Sequence, residues 1–311
     1  MNLGQQKFTL NTGAQIPAVG LGTYRADSYE MSERAIHAAF KAGYRHVDCA
    51  AIYGNEPELG RAMASYSPAI PRKELFITSK LWNDKHRPVD VLPALEQTLK
   101  DLQLDYLDLY LMHWPVALNK EGRSDKDERG WVHREPNVSF VDTWKAMEAL
   151  LKTGKVKAIG VSNFDITHLK RLLAHCKVRP AVNQVELHPL LPQHDLLDFC
   201  TKEGIHLSAY CPIGSGKAVL DNPAIEEIAK RFDRTPAQVA LTWAIERGTS
   251  VLPKSVTPAR IQSNIDLPIL PKEIVQEVDA KVTERRRLIP GTNLFGFTVF
   301  HDAEGEVPDD L

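Results

Sequence analysis

FVDTWKAMEALLKTGKVKAIGVSN, residues 140–163 of a 311-residue chain, contains one full period of the pattern that decides the fold. A helical repeat closes on Gly154, and an apolar, β-branched run from Val156 to Ser162 follows and ends on polar residues. A helix long enough to cross back over a strand, followed by that strand, is half of a βαβ unit with parallel strands.

The same alternation runs through the chain in both directions. Strands are expected at Val19 to Thr23, Arg45 to Asp48, Leu75 to Lys80, Tyr106 to His113, Val156 to Ser162, Ala181 to Val185, His206 to Tyr210 and Ser250 to Lys254. Helical patterns such as SYEMSERAIHAAFKAG, VDVLPALEQTLKDLQL and DITHLKRLLAHC lie between them, several opened by Ser or Asp and closed by Gly. Eight βα periods predict an α/β fold, a (β/α)8 TIM barrel, with residues 1–311 forming a single domain. KFTLNTGAQIPAVG, residues 7–20, reads as a β-hairpin that plugs the bottom of the barrel. Two segments depart from the repeat: a polar connection from Pro115 to Ser139, and a Gly- and Phe-rich tail from Ile289, expected over the barrel mouth where pockets are built.

Composition narrows the function. Apolar residues make up 43% and charged residues 25%, which suits a folded globular chain rather than a disordered one. A net charge of −2 provides no basic field for nucleic acid, and Arg285, Arg286 and Arg287 read as a solvated helix end. No run reaches the roughly 18 apolar residues needed to span a bilayer, and MNLGQQKFTL has no signal-peptide core, so no membrane partner and a cytoplasmic location are expected. Cys49, Cys176, Cys200 and Cys211 lack zinc-site spacing and read as small apolar residues.

In such a barrel the chemistry sits where strands end. Asp48, Lys80, His113, Ser162 with Asn163, Gln184 with Glu186, Tyr210 and Lys254 occupy the ends of seven runs, and Tyr53 follows Asp48 by five residues. This set has no ligand cluster for a hard metal and no nucleophile elbow, so no metal is expected. It does contain a phenol, an amine, a carboxylate and an imidazole. An ammonium beside a phenol favours the phenolate, so Lys80 is expected to lower the Tyr53 pKa and make it a general acid, with Asp48 holding Lys80 and a neutral His113 orienting a carbonyl. Protonating a carbonyl oxygen is useful only if a nucleophile reaches the carbon, and hydride from a bound cofactor fits.

At these residues the chain resembles the aldo-keto reductase family along nearly its whole length. GYRHVDCAAIYGNEPELG carries Asp48 and Tyr53, ITSKLW carries Lys80 and LYLMHWP carries His113. The resemblance implies that these four are the catalytic tetrad, with Tyr53 as proton donor. It implies NADPH/NADP+ as cofactor, its nicotinamide held by Ser162 and Asn163 of GKVKAIGVSNF and Gln184 of NQVELHP and stacked on Tyr210, with Thr23 and Asp48 alongside. Pro212, Gly214 and Ser215 of SAYCPIGS are expected at the cofactor too. In VLPKSVTPARIQSN, Lys254, Ser255, Val256, Thr257 and Arg260 are expected at an adenosine 2′-phosphate, on the positive end of a helix, and Asn264 at the adenine.

The chain departs from the better-known aldose reductases in three places. PIGSGKAVLDNP is shorter than their belt over the cofactor, Ser263 replaces an acidic adenine contact, and Tyr24 stands where many have tryptophan. The substrate pocket is expected from Tyr24, Trp82, His113, Trp114 and Phe295, with Trp131 and Phe297 as further aromatics. The partner implied is a small-molecule carbonyl compound, such as glyceraldehyde or another sugar-derived aldehyde, with a reversible reaction. The alternatives are a cofactor-binding regulatory barrel with little turnover, or a barrel hydrolase or lyase.

Overall fold

Strands form where the apolar runs lie, because each run is shielded on one side by the barrel interior and on the other by a helix. A computed structural model of the chain describes residues 2–267, 269–271, 273–303 and 306–308. After a hairpin of β1 (Lys7–Thr9) and β2 (Gln15–Pro17), eight parallel strands follow: β3 (Leu21–Gly22), β4 (His46–Asp48), β5 (Phe76–Leu81), β6 (Leu107–Met112), β7 (Val156–Ser162), β8 (Val182–Glu186), β9 (His206–Tyr210) and β10 (Ser250–Leu252). They neighbour one another in sequence order. The cylinder closes between first and last through the parallel bridges Val19↔Val251 and Gly22↔Lys254.

Helices cover the outside: α1 (Tyr29–Lys41), α2 (Glu56–Ala64), α3 (Pro88–Leu102), α4 (Phe140–Leu150), α5 (Ile166–Leu173), α6 (His194–Lys202), α7 (Pro223–Arg231), α8 (Pro236–Glu246), α9 (Pro258–Ile265) and α10 (Glu273–Lys281), with a short α11 (Thr292–Phe295) in the tail. Their starts follow capping chemistry. Ser28, Asp165 and Asn222 accept backbone N–H groups, and Ser139 with Asp142 and Thr235 with Gln238 form capping boxes. The inward face of the helices is wholly buried at Trp144 and Trp243. Among the described residues no helix is long and apolar enough to cross a membrane.

The closing strands are shorter than their sequence runs. Pro253 has no N–H to continue a ladder, so β10 stops at Leu252 and the seam rests on separate bridges. The expected hairpin is present, with Phe8 paired to Ile16, and Leu10 and Ile16 pack against Phe76, Leu109, Ala158 and Val182. Phe76 and Val182 open their strands, so the plug sits at the N-terminal end of the barrel. One expectation is refined: Arg285 to Arg287 lie in the irregular segment beyond α10, which ends at Lys281, and of the three Arg285 reaches back to its end, donating to the Val282 carbonyl at 2.6 Å. Arg287 pairs with Asp302 at 3.0 Å and lies over the Phe300 ring, tying the tail to itself. Residues 304, 305 and 309–311 of the tail lie outside the described residues.

Gly160 shows how closely β7 and β8 pack. A Cβ there would fall 2.5 Å from the Val182 carbonyl oxygen and 2.7 Å from Leu111 Cδ2. Gly160→Ala is expected to cost about 1–3 kcal/mol of stability by overpacking. Urea denaturation of the two proteins measures it, and an unchanged midpoint would mean that the strands can part at little cost.

Candidate active site

β4 and β5 place two opposite charges at the C-terminal mouth of the barrel, almost entirely out of water. Lys80 Nζ donates to Asp48 Oδ2 at 2.6 Å, and their side chains are only 1% and 5% exposed. Lys80 Nζ also donates to the Cys49 carbonyl at 2.8 Å, while Gln184 Nε2 donates to the other Asp48 oxygen at 2.7 Å. Thr23 Oγ1 donates to the Asp48 carbonyl at 2.8 Å. Burial is the largest influence on the Lys80 charge and opposes it, but Asp48, Tyr53 and Cys49 together outweigh it, so the ammonium is held above its ordinary pKa.

The chain leaves β4 through a single 3-10 turn, Ala51–Tyr53, which the left-handed Gly54 closes with an N–H to the Ala51 carbonyl. That turn sets the Tyr53 ring 5.4 Å from Lys80 Nζ and, edge-on, 6.0 Å from the His113 ring. The phenol does not follow the sequence expectation. Burial, the largest influence, pushes its pKa up, and the pull of Lys80 does not overcome it, with Asp48 and Cys49 adding to the upward push. Tyr53 therefore keeps its proton at neutral pH, as a proton donor must. His113 is held well below its ordinary pKa by burial, with Lys80 and His86 adding to it, so its imidazole is neutral. Its Nδ1 is buried without a hydrogen-bond partner among the described residues.

A belt of hydrogen bonds ties the next strands to this group. Ser162 Oγ donates to the Gln184 carbonyl at 2.7 Å. Asn163, in the left-handed region with φ of 63°, donates from Nδ2 to the His113 carbonyl at 2.9 Å and accepts the Tyr210 hydroxyl at 2.7 Å. Asp48, Tyr53, Lys80, His113, Thr23, Ser162, Asn163, Gln184 and Tyr210 thus form one constellation, although the sequence spreads them over 188 residues, from 23 to 210 counted inclusively.

The other expected cofactor residues lie in two patches beside it. After β9, Gly214 and Ser215 both take left-handed backbone, and a Cβ on Gly214 would fall 2.9 Å from the Val219 nitrogen. With Lys217 and Arg286 they line a groove of about 440 Å³, next to the buried Pro212. After β10, Lys254, Thr257 and Arg260 are exposed around the start of α9, with Val256 half-buried and Ser255 and Asn264 buried. Ser255 Oγ accepts the Thr257 N–H at 3.1 Å, and Thr257, the residue that precedes α9, makes no side-chain cap bond. An uncommitted hydroxyl and two exposed cationic side chains thus lie around the positive end of a helix, a donor set suited to a phosphate.

The aromatic residues expected at the substrate divide. Tyr24 is 53% exposed and packs 5.1 Å from Tyr53, and Trp82 stands edge-on 5.2 Å from His113. These two flank the phenol and the imidazole. Trp114 and Phe295 are buried, Phe295 completely, in a cluster that also holds Trp82, Phe297, Val299 and Phe300, and against which Trp131 packs. In this structure they back the wall and fasten the tail and the connection after β6, and neither faces open space.

Comparison with known proteins agrees with the sequence resemblance. Residues 18–283 match the Aldo/keto reductase family. The chain is 43% identical over 309 residues to "Aldo-keto reductase family 1 member A1" of Sus scrofa, covering 94% of each chain. It is 48% identical over 300 residues to "Aldo-keto reductase family 4 member C11" of Arabidopsis thaliana, covering 92% of this chain and 91% of the relative. The solved aldose reductase from Schistosoma japonicum superposes with a TM-score of 0.86 at 39% identity, over 93% of this chain and 96% of the other.

Sequence reading missed Glu56, the first residue of α2, although it lies inside the quoted GYRHVDCAAIYGNEPELG. It is buried behind the Asp48–Lys80 pair and accepts the Ser79 hydroxyl at 2.5 Å and the Thr98 hydroxyl at 3.0 Å. An acidic residue in a first helical turn looks like ordinary capping, and only tertiary packing buries this one. Burial pushes its carboxyl up to about 7, against hydrogen bonds from Ser79 and Thr98 that pull it down. Between the ordinary value of 4.5 and about 7 the folded chain holds a proton that the unfolded chain has released, so stability falls as pH rises through that window. Relative to Glu56→Gln, the wild-type protein is expected to lose roughly 3 kcal/mol between about pH 4.5 and about pH 8. Chemical denaturation at both ends of the range measures the difference, and a constant offset would show that Glu56 titrates like an exposed carboxyl.

Proposed function

The chain belongs to the aldo/keto reductase family and is an oxidoreductase, and on that premise we propose that it reduces small or sugar-derived aldehydes and ketones to alcohols with NADPH, reversibly. The observation that carries this reading is the buried Asp48–Lys80 pair beneath a protonated Tyr53, with a neutral His113 at its side. We read the chain as one domain acting in the cytoplasm.

In the proposed reaction the substrate oxygen lies between the Tyr53 hydroxyl and the His113 imidazole. His113, being neutral, orients the carbonyl by hydrogen bonding without competing as an acid. When bound, the reduced nicotinamide supplies the hydride that the carbonyl carbon accepts. Tyr53 passes its proton to the carbonyl oxygen as the negative charge on that oxygen grows. The phenolate that remains is stabilised by Lys80, whose charge Asp48 secures. The substrate would then have gained the two-electron hydride at carbon and the Tyr53 proton at oxygen. Running backward, Tyr53 takes the proton of an alcohol.

The residues present suit the dinucleotide. The left-handed Gly214–Ser215 turn leaves room for a backbone-lined approach, Ser162, Asn163 and Gln184 offer amide and hydroxyl groups at the mouth, and Lys254 and Arg260 meet the additional phosphate that distinguishes NADPH from NADH. The choice of small aldehydes rests on the Tyr24–Trp82 wall and on the relative whose solved structure is titled an aldose reductase.

Tyr53→Phe is expected to bind NADPH as the wild-type chain does, by fluorescence titration, while turnover with DL-glyceraldehyde drops by about 10²–10⁴-fold. Near-normal turnover would remove Tyr53 from the mechanism. Lys254→Ala and Arg260→Ala should each weaken NADPH by roughly 1.5–3 kcal/mol and leave NADH nearly unaffected. Equal losses for both dinucleotides would place the phosphate elsewhere.

A further inference from the structure

The tail returns to the barrel at the N-terminus of α5, where three metal-capable side chains from two parts of the chain converge. Asp165, which caps α5, His168 one turn later and His301 of the tail each present a ligand atom within 4.8 Å of the others. Among the described residues this is the only group of three or more such side chains brought so close. Asp165 Oδ2 accepts the His301 backbone N–H at 2.8 Å and lies 2.8 Å from His301 Nδ1. Asp165 Oδ1 accepts the His168 backbone N–H at 2.9 Å and lies 2.8 Å from His168 Nδ1.

His168 is the telling member. It is 1% exposed; its Nδ1 meets Asp165 Oδ1 at 2.8 Å, and its Nε2 has no hydrogen-bond partner among the described residues. The rings of Phe140, Phe164 and His301 surround it at 5.7, 5.6 and 4.9 Å. A buried imidazole whose Nδ1 faces a carboxylate shared with a second histidine, and whose Nε2 is unanswered among the described residues, calls for an explanation. The group borders a cleft of about 500 Å³ between the starts of α5 and α6 and the tail, with His194 and Asp302 on its walls. Solvent therefore reaches one side.

The geometry points to a site for a divalent transition metal of the zinc class, held by Asp165, His168 and His301, with a water from the cleft as fourth ligand. Two imidazoles and one carboxylate suit zinc, whereas magnesium and calcium prefer all-oxygen shells. Ligand atoms around tetrahedral zinc stand about 3.3 Å apart, so the 2.8 Å contacts of His168 Nδ1 with Asp165 Oδ1 and of His301 Nδ1 with Asp165 Oδ2 would each open by about 0.5 Å, and the three ligands, all within 4.8 Å of one another, would rearrange around the ion. The ion would replace the contact between His301 Nδ1 and Asp165, with the neutral imidazole carrying its one proton on Nε2, on the side away from the ion. Because two ligands belong to α5 and one to the tail, the bound metal would clamp the tail to the barrel. The site is separate from the constellation of Asp48, Tyr53, Lys80 and His113, and it stands whether or not the proposed reaction does.

The test uses the full-length chain stripped with chelator and titrated with Zn²⁺ and Co²⁺. One equivalent should bind, the Co²⁺ form should show the visible absorption of a four-coordinate site, and Tm should rise, with no such response to Mg²⁺. His301→Ala, at a partly exposed position, should weaken binding by at least about tenfold and abolish the Co²⁺ bands. His168→Asn should do the same and guards against a defect peculiar to the tail. Absence of saturable binding, or equal affinity in His301→Ala, overturns the site. Binding that depends on His194 instead, tested by His194→Ala, overturns it as well.

Discussion

Two opposite charges shut away from water at the mouth of the barrel constrain everything around them. Taking Asp48 and Lys80 out of solvent costs several kcal/mol per ion, and the cost is offset only when they meet each other and their remaining polar atoms are answered. Each partner comes from a different place: Lys80 from β5, the Cys49 carbonyl just past β4, Gln184 from β8 across the mouth, and Thr23 just past β3. The pair is tolerable only if the barrel closes in register. Conversely, a closed barrel brings these partners together without further machinery, because consecutive parallel strands deliver their ends to one rim.

The same pair sets the electrostatics of its neighbours. Lys80 pulls the Tyr53 phenol toward ionisation, but Asp48 at 2.6 Å from Lys80 opposes that pull and desolvation, the largest influence, prevails. The phenol stays protonated, and His113, more deeply desolvated, stays neutral. Three ordinary residue types thus acquire distinct protonation states through position rather than identity. The hydrogen bonds from Asn163 to the His113 carbonyl and from Tyr210 to Asn163 extend the ordering to the far side of the mouth, so groups that could bind a dinucleotide share a framework with those that could do the chemistry.

The tail is held by a different logic. Its aromatic cluster, centred on Trp114, Phe295 and Phe297, is separate from the main core and would be a weak attachment by itself. Buried carboxylates anchor it at both ends: Glu186 accepts the N–H groups of Leu288 and Ile289 at 2.7 and 2.8 Å, and Asp165 accepts that of His301. A segment pinned at its ends and apolar between them can cover a rim without joining the barrel core.

Periodicity in the chain determined the eight strands, the helices between them and the hairpin plug, because burial on a barrel wall demands apolar runs of the lengths observed. It placed the polar residues at strand ends as well, and motifs at Asp48, Tyr53, Lys80 and His113 identified the family. Those features are local, and local sequence is enough to specify them. The tertiary structure alone decided the rest. The sign of the Tyr53 shift depends on how completely the phenol is desolvated, the burial of Glu56 on α2 packing against the barrel, the withdrawal of Phe295 from open space on the tail's path, and the meeting of Asp165 and His168 with His301 on a contact across more than 130 positions. Burial and electrostatic fields sum over everything nearby in space, and linear order does not say what that will be.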